Sequence, residues 1–233
     1  MSKPDAGNDI AQCALCPFEW AERFCRNGKG EAPAGCPSVR HRDLAARALE
    51  EIKADPALLA MARESSLQEA AGYGDRDKGY AHVHPIKPRI LEIVEFARRL
   101  GCKRLGLAFC GGLRAEGGAV HRYFADMGFE VASFMCKAGA VPKSELGIAR
   151  EDQVDPSGES ETMCNPVFQA LAANAAQVDL NVLLGLCVGH DSLFIRFAEA
   201  PVTVLAVKDR MLAHNPLAAV YQMDQYYRFL KSS

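Results

Sequence analysis

From residue 102 onward, short apolar runs alternate with helical patterns, and that rhythm leaves the chain few folds to choose from. KRLGLAF, FEVASFM, DLNVLLGL and VTVLAV read as strands, while GGLRAEGGAVHRYFADMG, NPVFQALAANAAQ and HDSLFIRFAEA between them read as helices. Strands joined through helices need right-handed crossovers, and hence a parallel sheet covered on both faces. The expected fold class is α/β: a three-layer Rossmann-like core with a parallel sheet of at least four strands. A polar stretch, KAGAVPKSELGIAREDQVDPSGESET, breaks the rhythm as a long loop, and the end, NPLAAVYQMDQYYRFL, reads as wholly or partly helical.

Ahead of the core, residues 41 to 75 carry Leu44, Ala48, Ile52, Leu58 and Leu59 at helical spacing, with Pro56 as a break or restart. PRILEIVEFARRLG sets Ile90, Ile93, Val94, Ala97 and Leu100 on one helix face and closes at Gly101, as a helix C-terminus should. The first forty residues hold too few branched apolar side chains for a core of their own and need a staple. Three parts result: a Cys-rich metal-binding module at 1–40, a helical segment at 41–101 packing on the core, and an α/β core domain at 102–233.

The staple is legible as cysteine. Cys13, Cys16, Cys25 and Cys36 are spaced Cys-x2-Cys-x8-Cys-x10-Cys, and Cys16 and Cys36 each precede proline. Four such thiolates complete a closed tetrahedral zinc site, or they hold a [4Fe-4S] cluster, for which Cys-Pro is a familiar ending. Spacing does not choose between them. The plainer reading, free thiols in a flexible tail, leaves Trp20 and Phe24 between the cysteines unexplained.

A second quartet belongs to the core. Cys110, Cys136 and Cys187 directly follow apolar runs, and Cys164 stands at the mouth of a helix. The carboxyl ends of parallel strands line one edge, where ligands bind, so four thiols are aimed at one place. Cys110-Gly111-Gly112 and Cys187-Val188-Gly189 share the order strand, cysteine, any residue, glycine, helix. A cysteine beside a helix N-terminus should have a lowered pKa, and thiolate is the form that binds metal or attacks an electrophile. One such cysteine is ordinarily just a small buried hydrophobe. Four in equivalent positions point to a cofactor-binding or reactive site, with a second metal or iron–sulfur centre among the options.

Polar residues surround that edge. His190 and Asp191 follow Cys187; Lys208, Asp209 and Arg210 follow the last strand, with His214 close behind, and Lys137 follows Cys136. Lys208 or Arg210 could bind an anionic substrate or steady a thiolate, and His190 or His214 could move protons or ligate metal. Singly, each has a bland role at hand: Asp191 as a helix cap, Asp209 as an ion-pair partner. Together with Cys110 and Cys187 they form the expected catalytic set. His82 and His84 read as a solvated loop before Pro85, Glu116 and His121 as surface, and Met127, Phe134 and Phe194 as core.

Composition sets the outer limits. A net charge of −2 and a pI near 6.3 offer no field for nucleic acid or an anionic membrane. The first residues lack a basic region followed by an apolar run, and no stretch approaches a membrane span, so the cytoplasm is the expected compartment. Disulfides are uncommon there, and nine cysteines cannot pair completely. G-x-G-x-x-G is absent from GLAFCGGL, so no NAD is expected, and no P-loop appears.

The blocks LGLAFCGGLRAE, FMCKAGAVPKSELG, MCNPVFQALAAN, DLNVLLGLCVGHDSLF and APVTVLAVKDRMLAHNPLAAVY resemble a cysteine-rich, metal-binding family of anaerobic bacteria and archaea, defined only as a domain of unknown function. The resemblance covers nearly the whole chain. It implies that Cys110, Cys136, Cys164 and Cys187 match the family's core cysteines, and Cys13, Cys16, Cys25 and Cys36 its amino-terminal ones. Gly111 departs from it, the family more often carrying Val there. Metal binding is implied, and the reaction is left open.

Two functions fit. The first is a redox enzyme or electron-transfer protein using zinc or an iron–sulfur cluster, with a thiolate-lined site for a small-molecule substrate or electron-transfer partner. The second is a non-catalytic metal carrier or sequestration protein with a structural zinc module. The ring of polar residues favours the first.

Overall fold

A computed structural model describes residues 10–231. The chain divides into two compact units between Ser65 and Ser66. In the first, a 3₁₀ turn at Cys13–Leu15 precedes α1 (Phe24–Asn27), α2 (Pro37–Arg40), α3 (Arg42–Ala54) and α4 (Pro56–Ala71), the division falling within α4. Pro37 and Pro56 each stand at the first position of a helix, where a missing N–H costs nothing. Asp55 Oδ1 accepts the amides of Ala57 (2.8 Å) and Leu58 (3.2 Å), which explains why α3 stops and α4 restarts there. Between α1 and α2 the chain doubles back: Phe24 N–H donates to Glu31 O (2.8 Å) and Glu31 N–H to Glu22 O (2.7 Å). A Cβ on Gly30 would lie 2.0 Å from Glu22 O, so this approach requires glycine. None of residues 10–65 is buried. Nothing like a hydrophobic core holds this unit.

In the second unit, β1 (Tyr73–Gly74) and β2 (His84–Pro85) form a short antiparallel pair, followed by α5 (Arg89–Arg99). The histidine pair expected in a loop is therefore split: His84 lies in the pair, while His82 stays in an exposed turn. Then come β3 (Arg104–Phe109), α6 (Arg114–Asp126), β4 (Glu130–Met135), α7 (Pro166–Ala175), β5 (Leu180–Leu186), α8 (His190–Phe197), β6 (Val202–Val207) and α9 (Leu217–Tyr221). The core is α/β as expected, a parallel sheet of four strands in the order β4-β3-β5-β6.

That order fixes the layers. The chain steps outward from β3 to β4, then returns past β3 to β5 and on to β6. Right-handed crossovers made in opposite directions place their helices on opposite faces. Accordingly, α5 and α6 pack Ile93, Val94, Val120 and Phe124 against Leu105, Leu107, Leu180 and Val182 on one face. On the other, α7 and α8 pack Ala170, Ala173 and Phe194 against Ala108, Leu183 and Leu186. β5 is buried along its whole length, as a central strand covered on both sides should be. At the open margin of β6, Arg89 from α5 donates to Val204 O (2.6 Å) and Thr203 Oγ1 (3.1 Å). The polar stretch after β4 is a loop with two 3₁₀ turns, tied at its base by a Pro142–Thr162 bridge. Among the described residues no helix is long and apolar enough to cross a membrane.

Candidate functional site

The sheet ladder continues one residue beyond the strands. Cys110 N–H donates to Leu184 O (3.1 Å), Cys136 N–H to Phe109 O (2.9 Å) and Lys208 N–H to Leu186 O (3.1 Å). Cys110, Cys136, Cys187 and Lys208 thus leave four parallel strands at one edge. The strand order reverses between β3 and β5, so Cys110 and Cys187 flank the switch point where ligands of such sheets sit. Both also start helices: the carbonyl of Cys110 accepts Leu113 N–H, and that of Cys187 accepts His190 N–H and Asp191 N–H.

The fourth thiol arrives from the loop. Asn165 N–H donates to Cys136 O (2.7 Å) while its Oδ1 caps α7 by accepting Phe168 N–H (2.9 Å), which seats the neighbouring Cys164 against Cys136. The two sulfurs are 3.6 Å apart and share a hydrogen bond. Cys136 is buried, its Sγ accepting Gly111 N–H at 3.3 Å, and Cys164 is half-buried. Hydrogen bonding to Cys164 and then burial push the Cys136 thiol up and leave the proton with it. The same hydrogen bond, helped by the charge of Lys137, lowers Cys164 to about 7 against the opposing effects of burial, Cys187 and Cys110. Cys164 thus feels the other three core thiols, and Cys136 feels Cys164 and Cys110. The nine cysteines are free thiols, and the ninth, Cys102, is buried in the core with its thiol pushed up by that burial.

Cations stand over the thiols. Arg210 Nη2 donates to Cys187 Sγ at 3.0 Å. A Cβ on Gly112 would lie 3.1 Å from Lys208 Nζ and 3.8 Å from Cys110 Sγ, so the glycine leaves room for the ammonium to reach over the β3 turn. The two Cys-x-Gly turns thus use glycine differently: Gly189 is needed for its φ of +83°, Gly112 for space. His190, half-buried at the start of α8, has its pKa lowered by burial first and then by Arg210 and Lys143, against the pull of Asp191. Burial thus favours its neutral form.

Asp191 and Asp209 take local roles. Asp191 Oδ1 accepts Ser192 N–H (2.8 Å), one step inside a helix that Gly189 opens. Asp209 Oδ1 accepts the amides of Met211 (3.0 Å) and Leu212 (2.8 Å), and Asp209 N–H donates to His214 Nδ1 (3.1 Å). His214 therefore closes the turn carrying Arg210.

In the first unit, Cys13, Cys16, Cys25 and Cys36 line one cavity of about 380 Å³. That is far more than the roughly 30 Å³ share of a water molecule. Arg23 crosses this wall, its Nε donating to Phe18 O (2.8 Å) and its Nη2 to Cys16 O (3.3 Å). Among the described residues no group of three or more His, Cys, Asp or Glu side chains stands ready-made to hold a metal ion. The donor set is nevertheless soft, and the shared space has room for a polynuclear cluster as well as for a single ion.

Residues 36–205 match the family described as Protein of unknown function (DUF1847). The chain belongs to this family. The uncharacterized protein MJ0455 of Methanocaldococcus jannaschii is 36% identical over 186 residues, covering 80% of this chain and 86% of that relative. No solved structure matches the chain. The DUF1847 match takes in Cys36, all four core thiols, His190 and Asp191; Cys13, Cys16, Cys25 and the Lys208–His214 turn lie outside it.

Three neighbours of the core thiols stand out in the structure but not in the site read from the sequence. Glu161 accepts from Lys143 (2.9 Å) and Lys137 (3.3 Å), and those contacts, Lys143 first, lower its pKa to about 2. Both Glu161 and Lys143 come from the long polar loop, where nothing local marks one charge above another. Gln169 is wholly buried, its Nε2 donating to Phe134 O (2.7 Å) and Phe109 O (3.3 Å), the last carbonyls before Met135 and Cys110. Its signal was present: an amide in the middle of an otherwise apolar run, PVFQALAA.

Proposed function

We propose that this chain is a metal-binding redox protein, with Cys13, Cys16, Cys25 and Cys36 holding the metal and the thiols at the sheet edge acting on a small-molecule substrate or an electron-transfer partner. The observation that carries this reading is the shared cavity: four cysteines face one space in a unit whose residues 10–65 include none that is buried. Such a unit needs a tie other than an apolar core. Bound there, an iron–sulfur cluster would supply single-electron transfer, and zinc a structural closure. Arg23 holds the Cys16 loop in place and sets a fixed positive charge beside the thiolates.

At the sheet edge, Arg210 orients Cys187 and stabilises negative charge on its sulfur. Lys208 brings a second cation to the Gly112 turn that follows Cys110. His190, whose neutral form burial favours, is the group that accepts a proton there.

Protein purified without oxygen is expected to contain iron and labile sulfide and to show a broad visible absorption. Cys13→Ser and Cys16→Ser should lose that metal, whereas Cys110→Ser should keep the fold of the α/β unit. Colourless protein carrying only zinc overturns the electron-transfer role, and wild-type protein without metal overturns the metal assignment.

A further inference from the structure

We propose that Cys136 and Cys164 form a redox-active dithiol that exchanges with low-molecular-weight disulfides, Cys164 attacking and Cys136 resolving. This deepens the thiol reading of the sheet edge and rests on it, while owing nothing to metal in the first unit.

Geometry carries the pairing. The sulfurs are 3.6 Å apart, and the sulfurs of a disulfide stand about 2.05 Å apart, so a closure of roughly 1.5 Å by side-chain rotation joins them. The backbone is already clamped for it. Asn165 N–H on Cys136 O holds the two segments together from one side, and Met163 N–H on Val141 O (2.8 Å) holds them from the other. Of the other core thiols, Cys187 is engaged by Arg210 and Cys102 is buried within the hydrophobic core, while Cys110 touches the pair only through a hydrogen bond to Cys136, the weakest of the influences on that thiol.

Accessibility assigns the roles. Cys136 is only 4% exposed, whereas Cys164 is half-buried and the more exposed of the two. An incoming disulfide therefore meets Cys164 first. Cys136 waits behind it, with Gly111 N–H directed at its sulfur to stabilise the charge it must carry when its turn comes.

The steps balance. Cys164 thiolate attacks one sulfur of RSSR, that S–S bond breaks, and the first RS⁻ leaves, giving a mixed disulfide on Cys164. Cys136 releases its proton and attacks Cys164 Sγ; the mixed disulfide breaks, the Cys136–Cys164 bond forms, and the second RS⁻ departs. The two protons given up by the cysteines end on the two RS⁻. The protein dithiol is oxidised by two electrons, and RSSR is reduced to two RSH.

The test uses the full chain treated anaerobically with oxidised glutathione, followed by peptide mapping and a metal determination on the same sample. The wild-type protein should lose two thiols, gain a single disulfide joining the Cys136 and Cys164 peptides, and regain both thiols with dithiothreitol. Cys136→Ser should stop at a stable glutathione adduct on Cys164. Pairing of Cys164 with Cys110 or Cys187, or recovery of Cys164 unmodified from wild-type protein, overturns the proposal. The mapping reads the pairing whether or not the variant folds. Metal bound at the first unit with no such disulfide refutes the dithiol alone, and the disulfide without metal refutes the metal assignment alone.

Discussion

Cys136 and Cys164 are the same side chain driven in opposite directions by position. The hydrogen bond with Cys164 and then burial push the Cys136 thiol up, while the same hydrogen bond and Lys137 pull Cys164 down. The alkylation rate of Cys164 should therefore rise with pH around a midpoint near 7. Cys136→Ala removes the largest cause of the shift, so that midpoint should move up toward the ordinary thiol range; quantifying iodoacetamide labelling of the Cys164 peptide against pH checks it. The sequence made Cys110, Cys136 and Cys187 legible because each follows an apolar run in a parallel sheet, whose strand ends share an edge. It could not order their pKa values. Those depend on which thiol the loop presses against which, and on a backbone amide, Gly111 N–H, that has no signature in the residue string.

Among the elements, β5 is held most tightly. Gly185 has a φ of +67°, and a Cβ there would lie 1.9 Å from Leu113 Cδ1, in a strand that bulges at that point against β6. Gly185→Ala should cost about 1–3 kcal/mol through overpacking, with the strained φ acting in the same direction. A lower urea midpoint with an unchanged slope would register it.

The long loop depends on Glu161, which binds Lys137 and Lys143 and accepts Val154 N–H at 2.8 Å. Its folded pKa, about 2, lies below the ordinary 4.5. The stability it lends is thus fully present above pH 4.5 and is lost as pH falls from there toward 2. Glu161→Gln should abolish that acid dependence and lower hydrogen-exchange protection at Val154 already at neutral pH. The four core strands and the longer helices were readable from period, with Pro56 as a break or restart and Gly101 as a stop, whereas α1, α2 and the β1–β2 pair were not. The interior of the loop was not, because its order comes from one carboxylate and its distant lysines.

At the scale of the whole molecule, the two units are stabilised by different physics. Residues of the second bury two apolar faces of a sheet, and the first has cysteines around a cavity. If the first unit holds metal as proposed, stripping it with a chelator should unfold residues 10–65 while the α/β unit melts as before; structural zinc in small modules supplies about 10–16 kcal/mol of apparent folding free energy. Limited proteolysis read by mass spectrometry distinguishes the two, and simultaneous loss of both units would refute separate sources of stability. The alternation of strands and helices announced a parallel, three-layer core. The strand order β4-β3-β5-β6 was not announced, since no local pattern says on which side of β3 the chain returns after its long excursion.

The guanidinium of Arg89 on β6 bears on how the molecule keeps to itself. An outermost strand offers a row of unused carbonyls and amides to any extended chain that drifts alongside. By occupying Val204 O and Thr203 Oγ1, Arg89 takes one rung of that ladder and leaves a charge where a fifth strand would have to lie. A visitor seeking to lengthen the sheet must first evict a cation from its hydrogen bonds, so growth by strand addition is discouraged on the β6 margin.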